Sequence, residues 1–491
     1  MTRVWLSLLV LALLVRGAAA SLPQQSHRDE LLQRLPASVD GALSIENAAA
    51  LRNEEAGRAI VQWMRLYQAL PQTQRAWGLL ADRLGLSAEE AFDRILGGSA
   101  VLAFSQHEVD APAEWIILAA VDARVSALLV RRTGAVPRQI VHGRNVLGLE
   151  EESFLLSNLA PLADGRQVLA IAPAGSRRLL SETLEAAADK APALPEALLG
   201  SAPPEATVRG FWRPSAADHP PGSIAAELRR WLWRDFEPGR ALACWASFHG
   251  SGVAIEFGSA WAEGSPDRLP PAPAAEGVLL DIIAPGDAIV AGVLERTGLL
   301  ALVPKGLTAT EHTGELIVRR SGEGVDLGAR LPIEPGEAST ALSGPTTPGT
   351  RLVRVRDLTE TPSSRVIFGS SPAQAWAIVD RPPQGVELVF AVVGGAGAAR
   401  PTQPEARAVA IVLEAADRAG PSTPGMSGTA RPHELWQLLR STVVPERDQA
   451  AEQPGFASLA ALVDRARWTI RAEPAGVDGR VVLELRKGGA K

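Results

Sequence analysis

The sequence predicts an α+β fold: antiparallel sheets with helices packed on one face, arranged as two similar lobes. Three observations lead there. The C-terminal runs "WTIRAE" and "RVVLELR" alternate: Trp468, Ile470 and Ala472 interleave with Thr469, Arg471 and Glu473, and Val481, Leu483 and Leu485 with mostly charged neighbours. That period of two belongs to a sheet with one wet face. Runs with apolar residues at spacings of three and four lie between strand-like runs. Finally, "PASVDGALSIEN" at Pro36 and "PGDAIVAGVLER" at Pro285 each place a proline and a small-and-acidic turn before a short strand ending at a glutamate. With a weaker third copy, "PPEATVRGFW" at Pro203, they read as an internal repeat.

The chain opens "MTRVWLSLLVLALLVRGAAAS": Arg3, an apolar run from Trp5 to Val15, then Ala18 and Ala20 in signal-peptidase spacing. Residues 1–20 are therefore expected to be an export signal. The run falls short of the ~20 apolar residues that span a bilayer, and an uncleaved short anchor is the competing reading. Cys244 is the only cysteine, so internal disulfides and a lipidated cysteine after the signal are both excluded. The mature chain is expected free in the periplasm or outside the cell. Its net charge is −6, or −8 once Arg3 and Arg16 leave with the signal. Nucleic acid, which needs a concentrated cationic face, is not an expected partner.

An N-terminal lobe is expected over 21–268, with a subdomain junction near the proline-rich stretch 191–206, and a strand-rich C-terminal lobe over 277–491. In the first, a short strand covers Ala42 to Glu46. A helix follows, with Ile60, Trp63, Tyr67 and Leu70 on one face. In "GLSAEEAFDRILGG", Ser87 and Glu90 form a capping box, Phe92, Ile95 and Leu96 the apolar face, and Gly97-Gly98 the stop. "SAVLAFSQ" and "EWIILAAVD" pair antiparallel, "RQVLAIAP" is a strand before a helix at 176–190, and "ATVRGFW" is extended. A helix bounded by Pro-Pro-Gly and Pro-Gly carries "SIAAELRRWLWRDF". At the C-terminus "FASLAALVDRAR" reads as an amphipathic helix before a hairpin turning at "PAGVDG".

Three stretches, "LPASVDGALSIENAAAL", "RLGLSAEEAFDRILGGSAVLAF" and "EWIILAAVDA", resemble the opening of a class of exported bacterial proteins of unknown function. The resemblance covers the first quarter of the chain and rests on structural motifs. It implies an α+β architecture and an envelope location, and brings no catalytic residues.

Chemistry-bearing patterns are few. "CWASFHGSGVAIEFG" gathers Cys244, His249 and Ser251 around glycines, but strand-like runs flank it on both sides, whereas a serine-hydrolase elbow joins strand to helix. A hairpin turn is expected there. "VVGGAGAAR" starts a dinucleotide fingerprint at Gly395 and Gly397, yet Arg400 replaces the third glycine and Pro401 and Pro404 block the helix. The seven histidines are scattered singly, so no metal site and no cofactor are expected. Asp281 interrupts the apolar run "GVLLDIIAP", either as an acid set for chemistry, as an outward-facing residue or as half of an ion pair. On the tryptophan-rich helix, Arg229, Arg230, Trp231, Trp233 and Arg234 form the candidate interaction surface, facing a partner or a membrane surface unless the stripe is core.

Together these point to a non-catalytic exported protein that acts by binding or structural interaction in the cell envelope. A periplasmic carrier or chaperone for an apolar ligand such as lipid, and a hydrolase with an unrecognised site built on Ser251, are the alternatives.

Overall fold

The computed structural model describes residues 27–66, most of 78–105, 114–132, 136–149, 154–188, 206–213, 242–258, 277–285, most of 310–334, 351–355, most of 365–395, 404–417, and parts of 425–437 and 460–486. The predicted signal and the tryptophan-rich helix lie outside them.

The strands are β1 (Gly41–Ile45), β2 (Ala100–Ser105), β3 (Glu114–Val121), β4 (Val136–Val141), β5 (Arg144–Leu149), β6 (Phe154–Leu159), β7 (Gln167–Pro173), β8 (Val208–Trp212), β9 (Leu242–His249), β10 (Gly252–Gly258), β11 (Val278–Pro285), β12 (Thr313–Ser321), β13 (Gly324–Ile333), β14 (Arg351–Val355), β15 (Arg365–Ser371), β16 (Gln374–Arg381), β17 (Gly385–Gly395), β18 (Met426–Ala430), β19 (Val463–Glu473) and β20 (Gly476–Leu485). The α-helices are α1 (Arg28–Leu32), α2 (Ala48–Asn53), α3 (Glu55–Leu66), α4 (Ala88–Ile95), α5 (Ala123–Arg132), α6 (Arg177–Ala186) and α7 (Pro404–Asp417). Two compact units result: β1 to β10 belong to the first, β11 to β19 and most of β20 to the second.

In the first unit the antiparallel order is β4-β5-β6-β7-β3-β2-β1-β8-β9-β10. Its central strands are continuous apolar runs, "AVLAF", "WIILAAV" and "VLAIA", because both of their faces are buried. On one face Ala42, Ala103, Ile116, Leu118, Ala170 and Phe211 pack with Leu31 and Leu35 from the α1 region and Leu179, Leu180 and Leu184 of α6. On the other, Leu43, Leu102, Phe104, Ile117 and Leu169 are also buried. Helix caps follow the local chemistry. The Asn47 side chain accepts from Ala50 N–H (2.9 Å), and Ser87 and Glu90 close a reciprocal capping box (2.9 and 3.1 Å) that starts α4. Arg52, fully buried, donates to both carboxylate oxygens of Asp93 (2.5 and 3.2 Å) and lies over the Phe92 ring, which ties α2 to α4.

The second unit runs β14-β15-β16-β17-β13-β12-β11-β18-β19-β20, again antiparallel wherever the register is resolved. Strand for strand this is the order of the first unit, and α7 follows β17 as α6 follows β7. Alternate residues of β16 and β17 serve two cores. Ala375, Ala377, Val379, Val389, Ala391 and Val393 meet Ala408 and Val412 of α7, while Ile378, Leu388 and Phe390 point the opposite way, with Leu316, Leu331 and Ile333.

Three expectations are corrected. The chain is not an α+β assembly with helices layered over one sheet face. Antiparallel sheet dominates, with twenty strands against seven α-helices among the described residues, of which only α3 and α7 exceed ten residues. The reason is the two-faced burial of the central strands, whereas the alternating C-terminal hairpin describes only the last two strands of the chain. That hairpin is itself longer than its alternation implies. β19 begins at Val463, so "VDRAR" is strand rather than the end of a helix. The proposed repeat also pairs non-equivalent residues, since Pro36 precedes β1 but Pro285 ends β11.

Candidate functional site

The true equivalence between the units is marked by a glycine. Gly210 in β8 lies opposite Leu43 of β1, where a Cβ would come within 2.3 Å of the Ala42 carbonyl oxygen and 2.6 Å of the Leu43 side chain. Gly428 in β18 lies opposite Ile282 of β11, where a Cβ would come within 2.3 Å of the Asp281 carbonyl oxygen and 2.4 Å of the Trp468 ring. Both strands need a residue without a side chain at the same point, for the same approach of backbone to backbone. The match aligns Ala42 with Asp281, and Phe211 with Thr429.

From that anchor, cross-strand rows can be compared. In the first unit the row reads Ile116, Ala103, Ala42, Phe211, Ala243, every member at most 1% exposed. In the second it reads Gly328, Ile317, Asp281, Thr429, Arg467. An apolar row has become a polar one on the same strands and the same face. Asp281 is therefore neither solitary nor simply outward-facing. Register sets Thr429 beside it and Arg467 next in line.

Beside this row, α7 and the strands β12 and β13 enclose a groove of about 520 Å³, part of it open to solvent. Glu315, Ile317 and Arg319 come from β12, Asp326, Gly328 and Arg330 from β13, and Ile411 and Glu414 from α7. Alternation along each strand puts its three residues on one face. Two of the charges are spent on architecture. Arg407 of α7 donates to Asp326 (2.6 Å to Oδ1), and Arg330, 1% exposed, lies 3.7 Å from Glu387 and donates to the Ala415 carbonyl in the last turn of α7. A cation on those carbonyls satisfies the helix end and its dipole. Glu315, Arg319 and Glu414 line the groove without an ion pair to any described residue.

The hairpin at "CWASFHGSGVAIEFG" is β9–β10, with His249 opposite Gly252. Gly250 takes φ +58°, the left-handed conformation a tight turn requires. Its carbonyl accepts from Ala56 N–H (2.9 Å) in the first turn of α3, so the turn's work is to cap a helix. Trp245 donates through Nε1 to Glu256 across the pair (2.6 Å). Burial pushes the Cys244 thiol up to about 12, far from the range of a nucleophile. Gly395 closes β17, and the rest of that glycine run lies outside the described residues, as do Arg229, Arg230, Trp231, Trp233 and Arg234. No three metal-ligating side chains cluster among the described residues, and no helix there is long and apolar enough to cross a membrane.

Sequence reasoning singled out Asp281 but missed its neighbours. The signal for the groove was present in "TGELIVRRS", where Glu315, Ile317 and Arg319 recur at every second position, and in "VDLGARL", where Asp326, Gly328 and Arg330 do the same. Thr429 and Arg467 carried no local signal, because only long-range pairing sets them beside Asp281.

Neither a protein family nor a curated protein matches it. Among solved structures it is similar to crystal form I of TP0453, at 10% identity and a TM-score of 0.25 over 48% of this chain and 81% of that one. It is also similar to crystal form III of TP0453, at 13% identity and a TM-score of 0.26 over 48% of this chain and 82% of that one. At such scores the likeness carries neither fold nor function, and the resemblance of the first quarter to an exported class gains no family from it.

Proposed function

We propose that the protein is a non-catalytic, exported binding protein of the bacterial cell envelope, and that its second unit carries the binding groove. The observation behind this reading is the exchange of Ala42, Phe211 and Ala243 for Asp281, Thr429 and Arg467 at register-equivalent positions. Placing charge on a sheet face costs free energy unless each group is satisfied, so a fold that packs this row with apolar side chains in one unit gains nothing in stability by charging it in the other. The ligand-facing role falls to Glu315, Arg319 and Glu414, which line the groove beside this row. Hydrogen exchange of the mature chain, with and without fractionated envelope extract, tests it. Protection over Glu315–Arg330 and Pro404–Asp417, reduced in Glu414→Lys, supports the reading, and protection confined to other segments sinks it.

A second reading is a carrier for an apolar ligand. It draws support from the face of the second unit opposite α7, where Leu280, Ile282, Leu327, Trp376, Val392 and Met426 are only partly buried. Lipid recovered by mass spectrometry from purified protein, and lost in Trp376→Asp, would favour it. Lipid-free protein from a lipid-rich host would dismiss it.

A further inference from the structure

We infer that the groove between α7 and strands β12 and β13 takes a short peptide in extended form by its two charged ends, an inference that rests on the binding role proposed above. Three features of the groove carry it. Its charges that have no ion pair among the described residues are of both signs: Glu315 and Glu414 are acceptors for an ammonium, and Arg319 is a fork of donors suited to a carboxylate. The two signs are separated along one strand, because Glu315 and Arg319 flank Ile317 on the same face of β12, about 13 Å apart at 3.3 Å per residue. That separation, less a hydrogen bond of about 2.8 Å at each end, suits the termini of a two- or three-residue peptide. Between them the groove is apolar and deepened, with Ile317 as floor, Ile411 as wall, and Gly328 leaving space that any other residue would occupy. A free anion or a lone amine would use one end only, and a purely apolar ligand neither.

Register sets Asp326 opposite Arg319 and Arg330 opposite Glu315, and both of these neighbouring charges are already engaged. Asp326 is held by Arg407, and Arg330 by Glu387 and the Ala415 carbonyl, so the pairs that fix α7 against the sheet also fix the walls of the groove. The groove is thereby organised before the ligand arrives.

Isothermal titration of the mature full-length chain with Ala-Leu-Ala is the test, beside its N-acetyl and C-amide derivatives. Saturable binding is expected for the free peptide, weakened about tenfold or more by capping either end. In Glu414→Gln, where Glu315 alone is left to meet the ammonium, N-acetylation should weaken binding several-fold less than in the unaltered chain while C-amidation costs as much as before; in Arg319→Gln, C-amidation should cease to matter while N-acetylation still does. Glu414→Gln changes one residue on α7, and circular dichroism confirms the fold of each variant. Should Arg319→Gln not fold, the Glu414→Gln cycle decides alone. Absence of saturation at millimolar peptide, or equal binding of capped and free forms, overturns the inference. The broader binding role fails separately, by an extract footprint that lies outside the groove.

Discussion

The two units use one strand order to opposite ends. In the first, the row through Ala42 is closed by apolar side chains and roofed by the α1 region and α6. In the second, the same row is charged and opens beside a groove. What the difference teaches is that topology here is carried by backbone approach, at Gly210 and Gly428, while the side chains around those glycines are free to diverge. Core positions in one unit are polar positions in the other.

The sharpest way to break the comparison is at its apolar end. Phe211→Ala should cost about 3–5 kcal/mol, the range for removing a buried aromatic side chain, whereas Thr429→Ala at the equivalent place should cost about 1 kcal/mol. Urea unfolding followed by tryptophan fluorescence reads both, and similar losses at the two positions would erase the distinction between core row and polar row. Next in size are the glycines. Gly210→Ala and Gly428→Ala should each cost about 1–3 kcal/mol, since each Cβ meets backbone that cannot move aside. A large loss at one and none at the other would refute the register on which the equivalence stands. Smaller again is the clamp on α7. Arg407→Ala should cost about 1 kcal/mol, because the pair with Asp326 is partly exposed, and should raise hydrogen exchange in α7 with no change in the first unit.

The least effect on stability at neutral pH comes from Cys244. With its thiol raised to about 12 in the fold and close to 8.5 in the unfolded chain, it stays protonated in both below pH 8 and contributes a pH dependence only above that. Sign follows from linkage: the unfolded chain loses its proton first, so the stabilising contribution present at neutral pH declines between about pH 8.5 and 12. A thiol reagent should accordingly leave the native protein unlabelled at pH 8 and label it fully in urea.

Much of the strand content was legible from local runs, and the reasons it was are physical. "EWIILAAV" and "QVLAIAP" are too short for core helices, so strands were the natural reading. The same runs also carried the warning against a sheet with one wet face, which the alternating C-terminal hairpin obscured. The site was half legible. Asp281 stands out in "GVLLDIIAP" because a carboxylate there needs a reason, but Arg467 becomes its neighbour only through pairing across β18. The repeat was misregistered for a related cause. Prolines and acidic turns are visible in a sequence, whereas the glycine that sets the register is distinguished only by what it approaches.

In each unit the strand that starts the sheet is finished late. β1 is flanked by β2 on one side and by β8 on the other, with Ser44 donating to the Arg209 carbonyl across 165 residues of sequence. Until β8 emerges from synthesis, the open side of β1 offers unpaired backbone to any extended segment nearby. Completing the sheet is thus also the step that withdraws a sticky edge, which makes the segment Val208–Trp212 a latch for solubility as much as an element of the core.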